Sequence, residues 1–208
     1  MKQTFIIVLG LLVVVAALFV NAGRSLGPGY VIGDTADDFS LKNVDGRMVS
    51  MADYKDAKGF IIVFTCNTCP FAKAYEDRII ALDAMYRAKQ FPLIAINPND
   101  ISQQPDDSME KMQERSKAKN YGFPYLRDDS QAVAKAFGAT KTPHLYVLAK
   151  KEGKLKVEFI GAIDDNPNDP DNVNKRYVED AIDAILAGKS PTMKEARAIG
   201  CTIKWKES

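Results

Sequence analysis

The sequence has almost no excess of either charge. Lys and Arg number 28 against 27 Asp and Glu, so the basic stripe that nucleic-acid binding needs is missing. No cluster of cations argues for adhesion to an anionic membrane surface either. Internal repeats and low-complexity tracts are absent, which removes solenoids and disordered arrays. Histidine occurs once, as His144, and cysteine three times, as Cys66, Cys69 and Cys201. Any soft-metal site must therefore be built from these few side chains, and the odd cysteine leaves one thiol over or means that pairs exchange. What remains is an ordinary globular composition, 46% hydrophobic and 26% charged, long enough for one well-packed domain and a leader.

The leader is the first thing present. Lys2 precedes an unbroken apolar run from Phe5 to Val20. At a helical rise of 1.5 Å per residue the run is ~24 Å long, short of a ~30 Å bilayer core. It reads as a signal peptide with Val20-Asn21-Ala22 as the small-residue cleavage site. The alternative is an uncleaved anchor, a membrane tether through residues 5–20. No cysteine near Ala22 invites lipidation. Either reading places the folded part outside the cytoplasm, periplasmic or secreted, where disulfides persist. The expected organisation is residues 1–22 as signal peptide or anchor, 23–31 as a Gly- and Pro-containing linker, 32–190 as the folded domain and 191–208 as a tail without clear period.

Within the domain, Asp38-Phe39-Ser40-Leu41 alternates, Asp45-Gly46 turns and Met48-Val49-Ser50-Met51 returns, a β-hairpin pattern. Residues 59–65 and 91–97 are short apolar runs that read as fully buried strands. Between them Phe71, Tyr75, Ile79, Leu82 and Tyr86 recur with helical period, with Lys73, Glu76, Asp77, Arg78 and Asp83 placed on the other side. Residues 98–107 read as polar loop, and further helices are expected over 108–118, 130–138 and 175–187. Residues 123–128 read as a short extended piece, and 144–150 and 155–163 as two strands joined by a tight turn. This order implies a mixed sheet covered on both faces.

The chemistry lies at Thr65-Cys66-Asn67-Thr68-Cys69-Pro70, between a buried strand and an amphipathic helix. Cysteines at i and i+3 can close a small ring, and a helix N-terminus favours the reactive thiolate. Proline suits the first helical position and pushes the residue before it out of helical geometry, which would make Cys69 the N-cap.

Here the sequence resembles the thioredoxin-like redoxin family, which includes peroxiredoxins and thiol–disulfide reductases, over residues 32–187. The resemblance rests on GDTADDFSLKNVDGRMVSMADY, on the CNTCP junction, on FPYLRDDSQAVAKAFGATKTPHLYVL and on the final helix. It is nearest to an AhpC/TSA, peroxiredoxin-like group with a CxxCP motif, a GAIDDN-type strand end and a GCTIKWK-type tail. The resemblance implies an α/β thioredoxin-like fold with an N-terminal β-hairpin extension. It implies redox-active Cys66 and Cys69, with Thr142-Pro143 as a cis-proline pair beside them that contacts the bound partner. X-Pro is also the usual place for a cis bond on general grounds. Two assignments of the attacking thiol stay open. Likeness to thioredoxins implies an exposed Cys66, and likeness to peroxiredoxins, which have a Cys-Pro pair, implies Cys69. Measured from Cys69, the peroxiredoxin pattern is departed from at Cys66 and Ile62, and Lys141 and Thr142 stand where an activating Arg is expected.

The expected function is thiol–disulfide exchange with protein thiols, without a cofactor and with an unidentified reductase for recycling. A thiol peroxidase acting on hydroperoxides is the first alternative. A copper-binding module using Cys66, Cys69 and His144 is the second, with His144 more simply a strand histidine. Cys201 in the tail is either a resolving thiol or a small packed hydrophobe. The oxygen-rich run Asp164–Asn172 lacks EF-hand spacing and reads as turns before the last helix. Trp205 reads as a docking side chain.

Overall fold

A computed structural model of the protein describes residues 29–207. The chain opens with a hairpin, β1 (Ser40–Asn43) and β2 (Met48–Ser50), followed by β3 (Gly59–Phe64), α1 (Pro70–Tyr86) and β4 (Leu93–Asn97). Then come α2 (Met109–Ala118), β5 (Tyr125–Arg127), α3 (Ala132–Phe137) and β6 (Lys141–Thr142). A second hairpin, β7 (His144–Lys151) and β8 (Lys154–Gly161), precedes α4 (Tyr177–Leu186) and a short β9 (Cys201–Thr202). The hairpin at the start turns at Gly46, whose φ of 87° suits a residue without Cβ.

One sheet runs β2-β1-β5-β4-β3-β7-β8. Strands β3, β4 and β5 are parallel, β7 is antiparallel to β3, and β1 is antiparallel to β5. The first hairpin therefore extends the central sheet. Successive side chains of β3 point to opposite faces, so Phe60, Ile62 and Phe64 enter one core with Phe137 of α3. Ile61 and Val63 enter the other, with Tyr75, Ile79, Leu82 and Tyr86 of α1, Met112 of α2 and Val178 and Ile182 of α4. Helices thus flank a mixed sheet on both faces, the thioredoxin-like arrangement expected from the sequence.

Two acidic residues of α1 differ from expectation. Glu76 and Asp83 are buried, not on the solvent side. Glu76 accepts from Arg115 Nε at 2.6 Å and Tyr121 Oη at 2.5 Å, and lies 3.1 Å from Lys119 Nζ. Asp83 pairs with Arg87 one turn on. The cations and the hydroxyl that satisfy Glu76 come from residues that the α1 period does not contain.

The outer edge of β8 is covered by both ends of the described chain. Gly33 N–H and Ala36 N–H donate to Val157 O and Leu155 O, each at 2.8 Å. Ile160 N–H donates to Lys194 O at 2.9 Å, and Ala196 N–H donates to Ile160 O at 3.0 Å. Beyond this point β9 pairs with β6, and Ile203 is buried in the core.

The leader or anchor expected over residues 1–22 lies outside the described residues. The extracytoplasmic placement and membrane tether drawn from it are corrected: among the described residues no helix is long and apolar enough to cross a membrane. The longest, α1, carries Lys73, Glu76, Asp77, Arg78 and Asp83, and all three cysteines are free thiols, so neither fold nor sulfur state speaks for that compartment.

Candidate active site

The dithiol segment leaves the C-terminal end of β3, where Thr65 N–H donates to Ile96 O at 2.9 Å. It ends at Cys69, whose extended backbone (φ −67°, ψ 125°) makes it the N-cap of α1, with Pro70 as the first helical residue. Pro70 supplies no N–H where none is needed, and Cys69 sits where the helix presents its positive end.

The Thr142-Pro143 peptide, cis in this structure, lies directly against both sulfurs. Thr142 Oγ1 is 3.3 Å from Cys66 Sγ, and Thr142 O is 3.0 Å from Cys69 Sγ. Thr68 Oγ1 lies 3.7 Å from Cys66 Sγ. The tail completes the cluster. Strand pairing sets Thr142 opposite Cys201, and Cys201 N–H points at Cys69 Sγ at 3.3 Å. The structure thus gathers Cys66, Cys69, Thr142, Pro143 and Cys201 into one place.

Cys66 and Cys69 are 4% and 2% exposed, and Cys201 is half-buried. A Cys66 exposed in the thioredoxin manner is therefore not what the fold provides. The two buried thiols divide their protons unequally. A hydrogen bond from the Cys66 thiol, assisted by the Cys201 thiol and backbone N–H, pulls Cys69 down to about 5 against the cost of its burial. Cys66 is pushed far above the usual thiol range by that same bond, by burial and by the charge of Asp107. Cys201 rises to about 11, through burial and the neighbouring Cys69. Cys69 is therefore the most acidic of the three sulfurs, while its 3.0 Å contact with Thr142 O is a hydrogen bond that it donates when protonated.

Sequence reasoning passed over the residue beneath the loop. Asp107 is fully buried and accepts four hydrogen bonds: Asn67 N–H at 2.6 Å, Thr68 Oγ1 at 3.0 Å, Asn97 Nδ2 at 3.2 Å and Asn99 Nδ2 at 2.8 Å. Tyr125 Oη accepts from Asn97 and donates to Asn67 Oδ1 at 3.0 Å. Asp107 ends the segment read as polar loop. Its one sequence signal is the acidic pair before the Ser108 N-cap of α2. Among the described residues no arginine touches the sulfurs: Arg127, the buried candidate, is spent on Asn99 O, Asp107 O and Asp129.

His144 does not join the cysteines in a ligand set. It accepts from Thr140 N–H at 3.3 Å through Nδ1, lies tilted against the Tyr146 ring with centroids 4.9 Å apart, and burial lowers its pKa to about 4. Among the described residues no group of three His, Cys, Asp or Glu is placed to hold a metal ion, so the copper reading finds no support. The Asp164–Asn172 run is occupied internally. Asp164 pairs with Arg78 at 2.6 Å, Asp165 accepts from Asn174 and Lys175 N–H, and Asp169 accepts from Asp171 N–H.

This geometry, two thiols at a strand–helix junction facing a cis-proline, can be set beside known proteins. Residues 32–166 match the AhpC/TSA family. The chain belongs to the AhpC/TSA family. A curated relative of this AhpC/TSA protein is the thiol-disulfide oxidoreductase ResA of Geobacillus thermodenitrificans (strain NG80-2). It is 27% identical over 135 residues, which span 64% of this chain and 71% of ResA. Two solved structures superimpose with a TM-score of 0.79 each. One is an uncharacterized conserved protein of Geobacillus kaustophilus, 39% identical, with 86% of this chain and 94% of that one covered. The other is a hypothetical protein of Sinorhizobium meliloti 1021, 32% identical, with 86% and 97% covered. In general terms this AhpC/TSA protein is a thiol oxidoreductase of the thioredoxin-like class.

Proposed function

We propose that the protein is a thiol–disulfide oxidoreductase whose Cys66 and Cys69 cycle between dithiol and disulfide, exchanging with protein thiols. The observation that carries the reading is the placement of Cys69 Sγ. It belongs to the N-cap residue of α1, lies 3.0 Å from Thr142 O beside the cis-proline, and has the Cys66 thiol as its neighbour. A thiolate at that point attacks a disulfide sulfur presented to it, and the departing sulfur leaves as a thiolate. Cys66 then attacks Cys69 Sγ. Its proton passes out to the thiolate released, the Cys66–Cys69 bond closes, and the partner's second thiol leaves. The partner disulfide gains two electrons, and the protein dithiol loses two.

Thr142 serves both steps. Its hydroxyl at 3.3 Å can accept from or donate to Cys66 Sγ, and its carbonyl holds Cys69 in line when that sulfur is protonated. Asp107 positions the loop and keeps the proton on Cys66 until Cys69 has reacted. The relationship to ResA, whose name states the same activity, supports this reading over a peroxidase. So does the engagement of Arg127, the buried arginine among the described residues, with Asn99 O, Asp107 O and Asp129 and not with the sulfurs, because peroxide cleavage gains from a cation at the developing oxyanion.

The test is rapid mixing of the reduced full-length chain with glutathione disulfide and, in parallel, with hydrogen peroxide, for wild type, Cys66→Ser and Cys69→Ser. Fast disulfide exchange that Cys69→Ser abolishes, beside slow peroxide consumption, is expected. In Cys66→Ser exchange at Cys69 should still begin, but no Cys66–Cys69 disulfide can close. Faster consumption of peroxide than of disulfide would overturn the reading in favour of a thiol peroxidase.

A further inference from the structure

Cys69 has a sulfur neighbour on each side. Cys66 belongs to the same loop, but Cys201 arrives from 132 residues away, and its seat is built rather than incidental. Antiparallel pairing fixes Cys201 opposite Thr142 and Thr202 opposite Lys141. Gly200 lies so close to β6 that a Cβ there would stand 2.3 Å from Thr142 O. Beyond it Ile203 is buried, Lys204 N–H donates to Asn99 Oδ1 at 2.9 Å, and Lys204 O accepts from Asp100 N–H and Gln131 Nε2. Of the three sulfur residues, only Cys201 is more than marginally exposed. Thiol–disulfide exchange requires collision with the attacked sulfur, and with the tail seated Cys66 and Cys69 offer far less surface for one than Cys201 does.

We propose that Cys201 is a third redox-active thiol through which the buried pair exchanges with the outside, an inference that rests on the dithiol reading above. In the oxidised protein the Cys201 thiolate attacks Cys69 Sγ. The Cys69–Cys201 bond forms, the Cys66–Cys69 bond breaks, and Cys66 leaves with the electron pair and takes up the proton that Cys201 gave up. This step is an isomerisation with no net oxidation. A dithiol partner then attacks Cys201 Sγ, and Cys69 departs as a thiolate. The second partner thiol attacks the mixed disulfide and frees Cys201. The partner becomes a disulfide, and the protein regains two electrons. Cys69 suits the part of leaving group, because a sulfur that holds its charge easily departs fastest. The reverse sequence carries electrons outward.

The experiment oxidises the full-length chain with diamide, quenches in acid, and maps disulfides on unreduced peptides for wild type, Cys66→Ser and Cys201→Ser. Reduction of each oxidised protein by dithiothreitol is timed alongside. Wild type should contain both Cys66–Cys69 and Cys69–Cys201 bonds, and Cys66→Ser should contain Cys69–Cys201. Oxidised Cys201→Ser, locked as Cys66–Cys69, should be reduced about tenfold more slowly than wild type. A role in packing alone would not create the Cys69–Cys201 bond in Cys66→Ser. Absence of that bond there, or reduction of Cys201→Ser at the wild-type rate, overturns the proposal while leaving the dithiol reading intact. Absence of a Cys66–Cys69 bond in oxidised Cys201→Ser, where no third thiol competes, overturns both.

Discussion

The carboxylate of Asp107 accepts the backbone N–H of Asn67 at 2.6 Å and, through its other oxygen, the hydroxyl of Thr68 at 3.0 Å. The two residues between the cysteines are thus held by one buried side chain that lies outside the motif. Asp107→Asn presents an amide that can accept only on one side, so one of these donors loses its partner. The cost expected is about 1–3 kcal/mol of folding stability, read from urea unfolding. Removing the charge should also lower the pKa of Cys66, which Asp107 helps to raise. Thiolate absorbance followed against pH in Cys69→Ser, with and without Asp107→Asn, checks that direction.

Alkylation of the reduced protein by iodoacetamide should titrate with the thiolate on Cys69. The rate at Cys69 is expected to rise through pH 5 and to level off above it, since its pKa is drawn down to about 5. The leading cause is the hydrogen bond from Cys66. Cys66→Ala should therefore shift the midpoint upward, toward the ordinary thiol range, with peptide mass spectrometry reporting which cysteine is labelled. An unchanged midpoint would remove Cys66 from the role of proton holder.

His144 gives a pH dependence of stability. Burial lowers its pKa from 6.5 to about 4, so the unfolded chain binds the proton more readily than the folded one. The stability from keeping His144 neutral is complete above about pH 6.5 and falls as pH drops toward 4, by about 3 kcal/mol in all. Below that pH the contribution changes no further. His144→Gln keeps an acceptor for Thr140 N–H and should flatten the slope of unfolding free energy over this window.

Gly200→Ala addresses the tail. Its added Cβ would fall 2.3 Å from Thr142 O, which a backbone carbonyl cannot yield without movement of β9 or β6. The expected result is a tail lifted from β6 and a cost of about 1–3 kcal/mol. Cys69 should then be labelled faster at a fixed pH. Unchanged labelling would mean that the tail does not govern access to the dithiol.

Much of the fold was legible because it is written in local periods. The alternation around Asp45-Gly46, the apolar runs of β3 and β4 and the stripe of α1 each need only neighbours in sequence. The structure placed these elements where the pattern puts them. Burial of Glu76 was not legible, because it depends on Arg115, Lys119 and Tyr121, which a helical period cannot supply. Asp107 was missed for a related reason: its donors come from the loop after β3 (Asn67, Thr68), from the last residue of β4 (Asn97) and from the loop beyond it (Asn99), and one short turn carries the acceptor. The placement of β9 rests on a two-residue pairing with β6, too short to leave a pattern. Cys66 and Cys69 were legible as a pair, but their burial was not, because the tail that covers them is read only in three dimensions.

The burial of Glu76 yields a prediction of its own. Glu76→Ala leaves Arg115 and Tyr121 without their acceptor in a part-buried setting, and a loss of about 3–5 kcal/mol is expected. Asp77→Ala, one residue on and exposed, should change stability by about 0.5 kcal/mol or less. Paired thermal or urea unfolding of the two variants separates a buried ionic cluster from a surface one.

The way β8 is closed bears on how the chain behaves in company. A sheet's last strand carries unpaired N–H and C=O groups that can template another molecule. At the opposite end of this sheet β2 is only three residues long, a poor template. On β8 the outward-facing backbone is claimed from one side by residues 33–36 and from the other by residues 194–196. The two extremities of the domain act as bumpers on a single edge: trimming residues 33–36 would uncover a ready site for strand-to-strand aggregation while leaving the dithiol and Cys201 in place, whereas trimming from residue 194 would uncover the edge and take Cys201 away with it.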